Sequence, residues 1–105
     1  MKTIADLNDK FRHTFMGGRV VMTDGVAALP DAERIAILAR VQAFSAFDRD
    51  NDPHSEHDFG AVHTADNKVF WKIDYYDAAL EYGSEDPADP TVTTRVLTIM
   101  LSDEY

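Results

Sequence analysis

The run KVFWKIDYY, residues 68–76, constrains this chain more than any other stretch. Its β-branched and aromatic residues suit a pleated surface, and a period of two sends Trp71, Ile73 and Tyr75 to one side and Phe70, Lys72 and Asp74 to the other. One of those faces has to be core. The polar turn ADN precedes the run, so residues 58–64 become the second arm of a hairpin, with Phe59 or Trp71 in the core. If Trp71, Ile73 and Tyr75 are the buried set, Lys72 and Asp74 form an exposed pair that adds little stability.

A hairpin alone is not stable, and the rest of the chain supplies its cover. Thr3 followed by Asp6 resembles a capping box, and Ile4, Leu7 and Phe11 recur at helical spacing, which predicts a helix over 3–14 stopped by Gly17 and Gly18. RVVMT, residues 19–23, reads as a short strand ended by the turn pair Asp24-Gly25. Pro30, Asp31 and Glu33 suit a helix start, and Ile37, Leu38, Val41 and Phe44 trace one face, so a second helix is expected over 30–46. Leu80–Tyr82 is a short run that extends the meander. Asp89 and Pro90 then form an N-cap and first helical position, with Val92, Val96, Ile99 and Met100 on one face of a terminal helix; the threonines at 91, 93, 94 and 98 argue for a strand instead. The expected architecture is a single α+β domain over 1–105, two to three helices covering a small antiparallel sheet of three to four strands.

Composition narrows the chemistry. The 105 residues are 45% hydrophobic, enough for one packed core, and they include no cysteine, which removes disulfides, thiolate metal sites and cysteine nucleophiles. The N-terminal MKTIADLNDKF lacks the apolar segment of a signal peptide, and no apolar run reaches bilayer length, so a soluble cytoplasmic protein is expected. Residues 1–47 hold six Lys/Arg against five Asp/Glu, a balance of +1; residues 48–105 hold four against fourteen, a balance of −10. Such a field repels phosphate and attracts basic protein surfaces, which disfavours direct nucleic-acid binding and points to a protein partner with a basic surface. The acids nominated for that contact are Asp48, Asp50 and Asp52 after the second helix and Glu85, Asp86 and Asp89 in the proline-punctuated SEDPADP loop. A merely solvated acidic surface is the plain alternative.

The stretch DRDNDPHSEHDFG, residues 48–60, carries five acids and two histidines. Asp48, Asp50 and Asp52 have the spacing that opens a calcium loop, but Pro53 stands where that loop needs glycine and Phe59 where it needs a bidentate glutamate. Glu56, His57, His63 and Asp74 are the better catalytic candidates. His57 and His63 are an even number apart and would share one side of a strand beginning this early, where His57 could act as a general base oriented by Glu56 or Asp74. No HExxH, GxGxxG, Walker or nucleophile-elbow pattern is present, so neither a bound metal nor a cofactor is expected. A structural histidine bonded to backbone or carboxylate is the plain alternative.

The strings GRVVMTDGVAALP, HDFG, FWKIDYYD and DPADP followed by TRVLTIML together resemble an uncharacterised bacterial family, one of the domains of unknown function, along nearly the whole chain. The resemblance implies small accessory cargo of plasmids and other mobile elements, with interference in host defence as one role, and it transfers no catalytic residue. The expected function is therefore a small acidic protein-binding accessory protein, in its sharper form a nucleic-acid mimic acting on a host nucleic-acid-handling or defence protein. A small hydrolase built on Glu56, His57, His63 and Asp74 is the alternative.

Overall fold

The computed structural model describes residues 2–105. Helix α1 spans Ile4–Thr14 and opens with the expected capping box: the Thr3 hydroxyl accepts from the Asp6 amide at 3.1 Å, and the Asp6 carboxylate accepts from the Thr3 amide at 3.0 Å. It stops before the glycines. Phe15 takes the left-handed position, φ 58°, and its amide donates to the Phe11 carbonyl, while Gly17 at φ +100° only turns the chain into strand β1, Gly18–Met22. A short helix α2, Asp24–Ala27, occupies the place read as a turn, and it buries Val26 completely. Helix α3 covers Asp31–Ala43.

Strands β2 (Phe59–His63) and β3 (Lys68–Tyr76) form the expected antiparallel hairpin, with Gly60 opposite Trp71. The expected terminal helix is instead strand β4, Thr94–Leu101, followed by a single 3-10 turn over Ser102–Glu104. Period two decides it: Arg95, Leu97 and Ile99 are buried on one side, a pattern a helix cannot produce. Asp89 does cap, but locally, its carboxylate accepting from the Thr91 amide and hydroxyl in an Asx turn. Leu80–Tyr82 is no strand either. Leu80 sits at φ 61°, and only an isolated bridge joins Tyr76 to Gly83.

The fold is a small α+β domain with a four-stranded sheet in the order β1-β4-β3-β2. The sheet is mixed where an all-antiparallel one was expected, because β1 lies parallel to β4, Gly18 beside Arg95 and Met22 beside Ile99. The chain leaves β1, passes through both later helices and the hairpin, and returns with β4 in the centre. One face of the sheet is covered: Phe11, Ile37 and Val41 from the helices pack on Val69, Trp71, Ile73, Leu97 and Ile99. Trp71 is fully buried, and its indole crosses Gly60 so closely that a Cβ there would lie 2.6 Å from Trp71 Nε1. The opposite face has no helix over it among the described residues; Phe59 and Phe70 lie there with Tyr105 edge-on to both. None of the helices among the described residues is long and apolar enough to cross a membrane.

Candidate functional site

The acidic stretch after α3 is shaped by its own aspartates. Asp48 Oδ1 accepts from the amides of Asp50 and Asn51, and the Asp52 carboxylate turns inward to accept from the amides of Glu56 and His57. That grip holds Ser55 and His57 at φ 54° and 56°, conformations that cost non-glycine residues on the order of 1 kcal/mol or more. Asp52 is only 6% exposed, so it is a structural acid and is withdrawn from the partner-binding set, whereas Asp48 and Asp50 stay at the surface.

The same turn aims His57 toward α1. Its Nδ1 lies 2.9 Å from Asp9 Oδ2, its Nε2 is 3.7 Å from Asp52 Oδ2, and its ring stacks flat on Phe47 with centroids 4.0 Å apart. Asp9 also binds Arg12 at 3.0 Å. Arg12 is buried, and its guanidinium donates to the carbonyls of Val41, Gln42 and Phe44, replacing the usual glycine cap at the end of α3. It also lies over the Trp71 ring at 5.0 Å. Burial pulls the Arg12 guanidinium below its ordinary pKa, with Asp9 opposing.

A second network ties the loops to the sheet. Arg95 Nε donates to Asn8 Oδ1 at 2.7 Å, and Asn8 Nδ2 donates to the Tyr75 hydroxyl and to the Glu56 carbonyl. The Tyr75 hydroxyl in turn donates to the Glu56 carboxylate at 3.1 Å, and Arg95 donates to the Pro87 carbonyl. Burial, then the charges of Asp58 and Glu56, push the Tyr75 phenol far above its usual value, so it is a hydrogen-bond donor and not a base.

Burial and the neighbouring Glu56 also raise the Asp58 carboxyl. An acid with a raised folded-state pKa destabilises the fold once both states are ionised, and that penalty disappears as pH falls through the folded value toward the unfolded one. Asp58→Asn is therefore expected to stabilise the protein at neutral pH, with the gain shrinking below the ordinary aspartate range. Urea melts of both proteins at pH 7 and pH 3 check this; a gain that is equal at both pH values rules out the titration account.

The four catalytic candidates do not converge. Glu56 serves Tyr75, and His57 serves Asp9 and Asp52. His57 precedes β2 instead of opening it, so the period-two argument that aligned it with His63 does not apply. His63 sits exposed at the far end of β2, paired with Lys68, and Asp74 lies on the uncovered sheet face bonded to Lys72 at 3.1 Å. A cavity of about 570 Å³ lies beside His57, walled by Phe47, Asp48, Arg49, Asp52 and Ser55. Among the described residues no hydrogen bond joins the Ser55 hydroxyl to His57, and no three His, Asp or Glu side chains gather as a metal site. Asn8, Asp9, Arg12 and Arg95 carry no sequence signature of this network, and Tyr75 is marked only by its place on the Trp71 face of β3. The one hint is that Asn8 and Arg12 stand four apart beside Phe11 on the apolar stripe of α1.

The topology does gather the nominated acids. β3 ends, and β2 and β4 begin, at the same end of the sheet, so loops 44–58 and 77–93 lie together there, joined by the Glu56–Tyr75–Asn8–Arg95 chain. Those loops hold Asp48, Asp50, Asp52, Glu56 and Asp58, and Asp77, Glu81, Glu85, Asp86 and Asp89, with Arg49 as their single Lys or Arg. Glu85 and Asp86 are exposed and Asp89 half-buried.

A family model described as a protein of unknown function, DUF3768, matches residues 22–104. Neither a curated protein nor a solved structure matches the chain.

Proposed function

Because this chain belongs to the DUF3768 family of unknown function, we propose its role from its own geometry: it is an accessory protein that binds a basic partner through the acidic end of its sheet. The observation that carries this reading is the meeting of two acidic loops, distant in sequence, at one end of the fold. Carboxylates spread over a buttressed surface present a negative field to solvent, which suits a groove that otherwise receives nucleic-acid phosphates. The buried Arg95 and Arg12 support that end from beneath, so its acids are held in place while their charges remain in solvent.

A small hydrolase has one observation in its favour, the Asp9–His57 pair at the wall of the cavity. It lacks an aligned nucleophile, and the other candidates lie elsewhere, so the binding reading is the stronger.

The test is to capture the partner from the native host and measure its association rate at low and high salt. Steered association is expected to slow by about tenfold or more as salt is raised. Neutralising Asp48 with Asp50, or Glu85, Asp86 and Asp89, weakens binding and leaves the melting temperature nearly unchanged. Asp52→Asn behaves differently: it loosens the loop and lowers the melting temperature, because its carboxylate is buried and water cannot take over its hold on the Glu56 and His57 amides, as it can for the exposed Asp48. The partner also releases nucleic acid on binding. Salt-independent association that survives both neutralisations defeats the proposal.

A further inference from the structure

Strand β1 stands at one edge of the sheet, and all five of its residues are exposed, including Val20 at 36%, Val21 at 45% and Met22 at 38%. Among the described residues nothing pairs with its outer side. Edges of this kind are commonly blunted by charged side chains, proline or a bulge, and Arg19 is the single such residue in GRVVM. The groups left free can be identified. Thr23 donates its amide to Ile99 on the β4 side at 3.0 Å, so by strand alternation Val21 and Arg19 also face β4, while the N–H and C=O groups of Gly18, Val20 and Met22 point outward.

We infer that this edge pairs with a second copy of the chain, β1 antiparallel to β1, on a two-fold axis through Val20. Three features select that occupant. The outward groups are self-complementary in this register: Val20 exchanges both bonds with its counterpart, and Gly18 exchanges both with Met22 of the other copy, so every free group of the strand is satisfied. The side chains fit as well. Val20 meets Val20, and Val21 meets the aliphatic stem of Arg19; Gly18, whose own face is filled by the Phe11 ring, pairs with Met22 through backbone alone. Charge sets the direction. The acidic loops lie at the N-terminal end of β4, hence of the parallel β1, and an antiparallel pair sends the two acidic ends apart, whereas a parallel pair would set them side by side. The result is a continuous eight-stranded sheet with an acidic docking surface at each end. This inference stands apart from the binding role, since the dimer forms with or without a partner.

Analytical ultracentrifugation over micromolar to millimolar concentrations tests it, together with amide exchange. The wild-type chain forms a dimer, and the amides of Gly18, Val20 and Met22 become protected as concentration rises. Val20 faces itself across the axis, so Val20→Lys and Val20→Glu each raise the dissociation constant by about tenfold or more, while an equimolar mixture of the two restores the dimer. A wild-type chain that stays monomeric throughout overturns the inference. So do amides at 18, 20 and 22 whose exchange is independent of concentration, a measurement that needs no variant. A dimer that persists in both single variants likewise overturns it.

Discussion

Replacing Trp71 with alanine is expected to lower the free energy of unfolding by about 3–5 kcal/mol, the largest effect of any apolar truncation in this chain. Trp71 is fully buried at the middle of β3, flanked by Ile99 on β4 and by Gly60 on β2. Phe44 and Phe47 meet its ring edge-on at 5.5 and 6.1 Å, and the Arg12 guanidinium covers its face. Removal leaves a cavity that Gly60 cannot fill, having no side chain to move inward, and strips the cation from its aromatic partner. A domain of this size has about 5–15 kcal/mol in total, so the variant is expected to unfold at much lower urea. A midpoint equal to that of the parent contradicts the packing described.

Replacing Arg12 with alanine is expected to cost a similar amount, about 3–5 kcal/mol, for a different reason. The guanidinium is the cap of α3 and the partner of Asp9 at once, and its loss takes a donor from three carbonyls and leaves the Asp9 carboxylate with His57 alone. Arg12→Lys keeps the charge but not the planar fork, so it recovers only part of the loss. Combining Arg12→Ala with Asp9→Asn isolates the ion pair: the double variant is expected to be less destabilised than the sum of the singles by about 0.5–3 kcal/mol. Strict additivity in urea melts means that Arg12 acts through the carbonyls alone. The same substitutions reach the loop, because Asp9 is shared with His57. Loosening the 48–58 turn along with α3 is therefore the signature that separates this network from simple core packing.

These two residues differ in how far the sequence announced them. Trp71 was legible: alternation along 68–76 states which residues share a face, and the apolar set is the buried one. Arg12 was not, since a charged side chain within a capped amphipathic helix, with an acid three residues before it, reads as solvent-facing until its carbonyl partners, twenty-nine and more positions away, are known. The acidic loop shows the same division. Its turn chemistry is local and was readable in Asp48, but that Asp52 folds inward while Asp48 and Asp50 remain outside depends on amides positioned by the docking of α1.

Sequence alone determined the local elements whose causes are local: the capping box of α1, helix α3, the hairpin of β2 and β3, and the uneven distribution of charge. Tertiary structure alone decided the rest. Residues 94–101 carry apolar positions compatible with either period, and only a place between β1 and β3, with partners on both sides, makes the extended form the one that satisfies its backbone. The same insertion makes the sheet mixed, leaves β1 with a free edge, and carries the loop after β3 to the loop before β2. Non-local pairing of this kind has no periodic trace in a single chain, because each strand's alternation names the face it buries and says nothing of the neighbour it will bond.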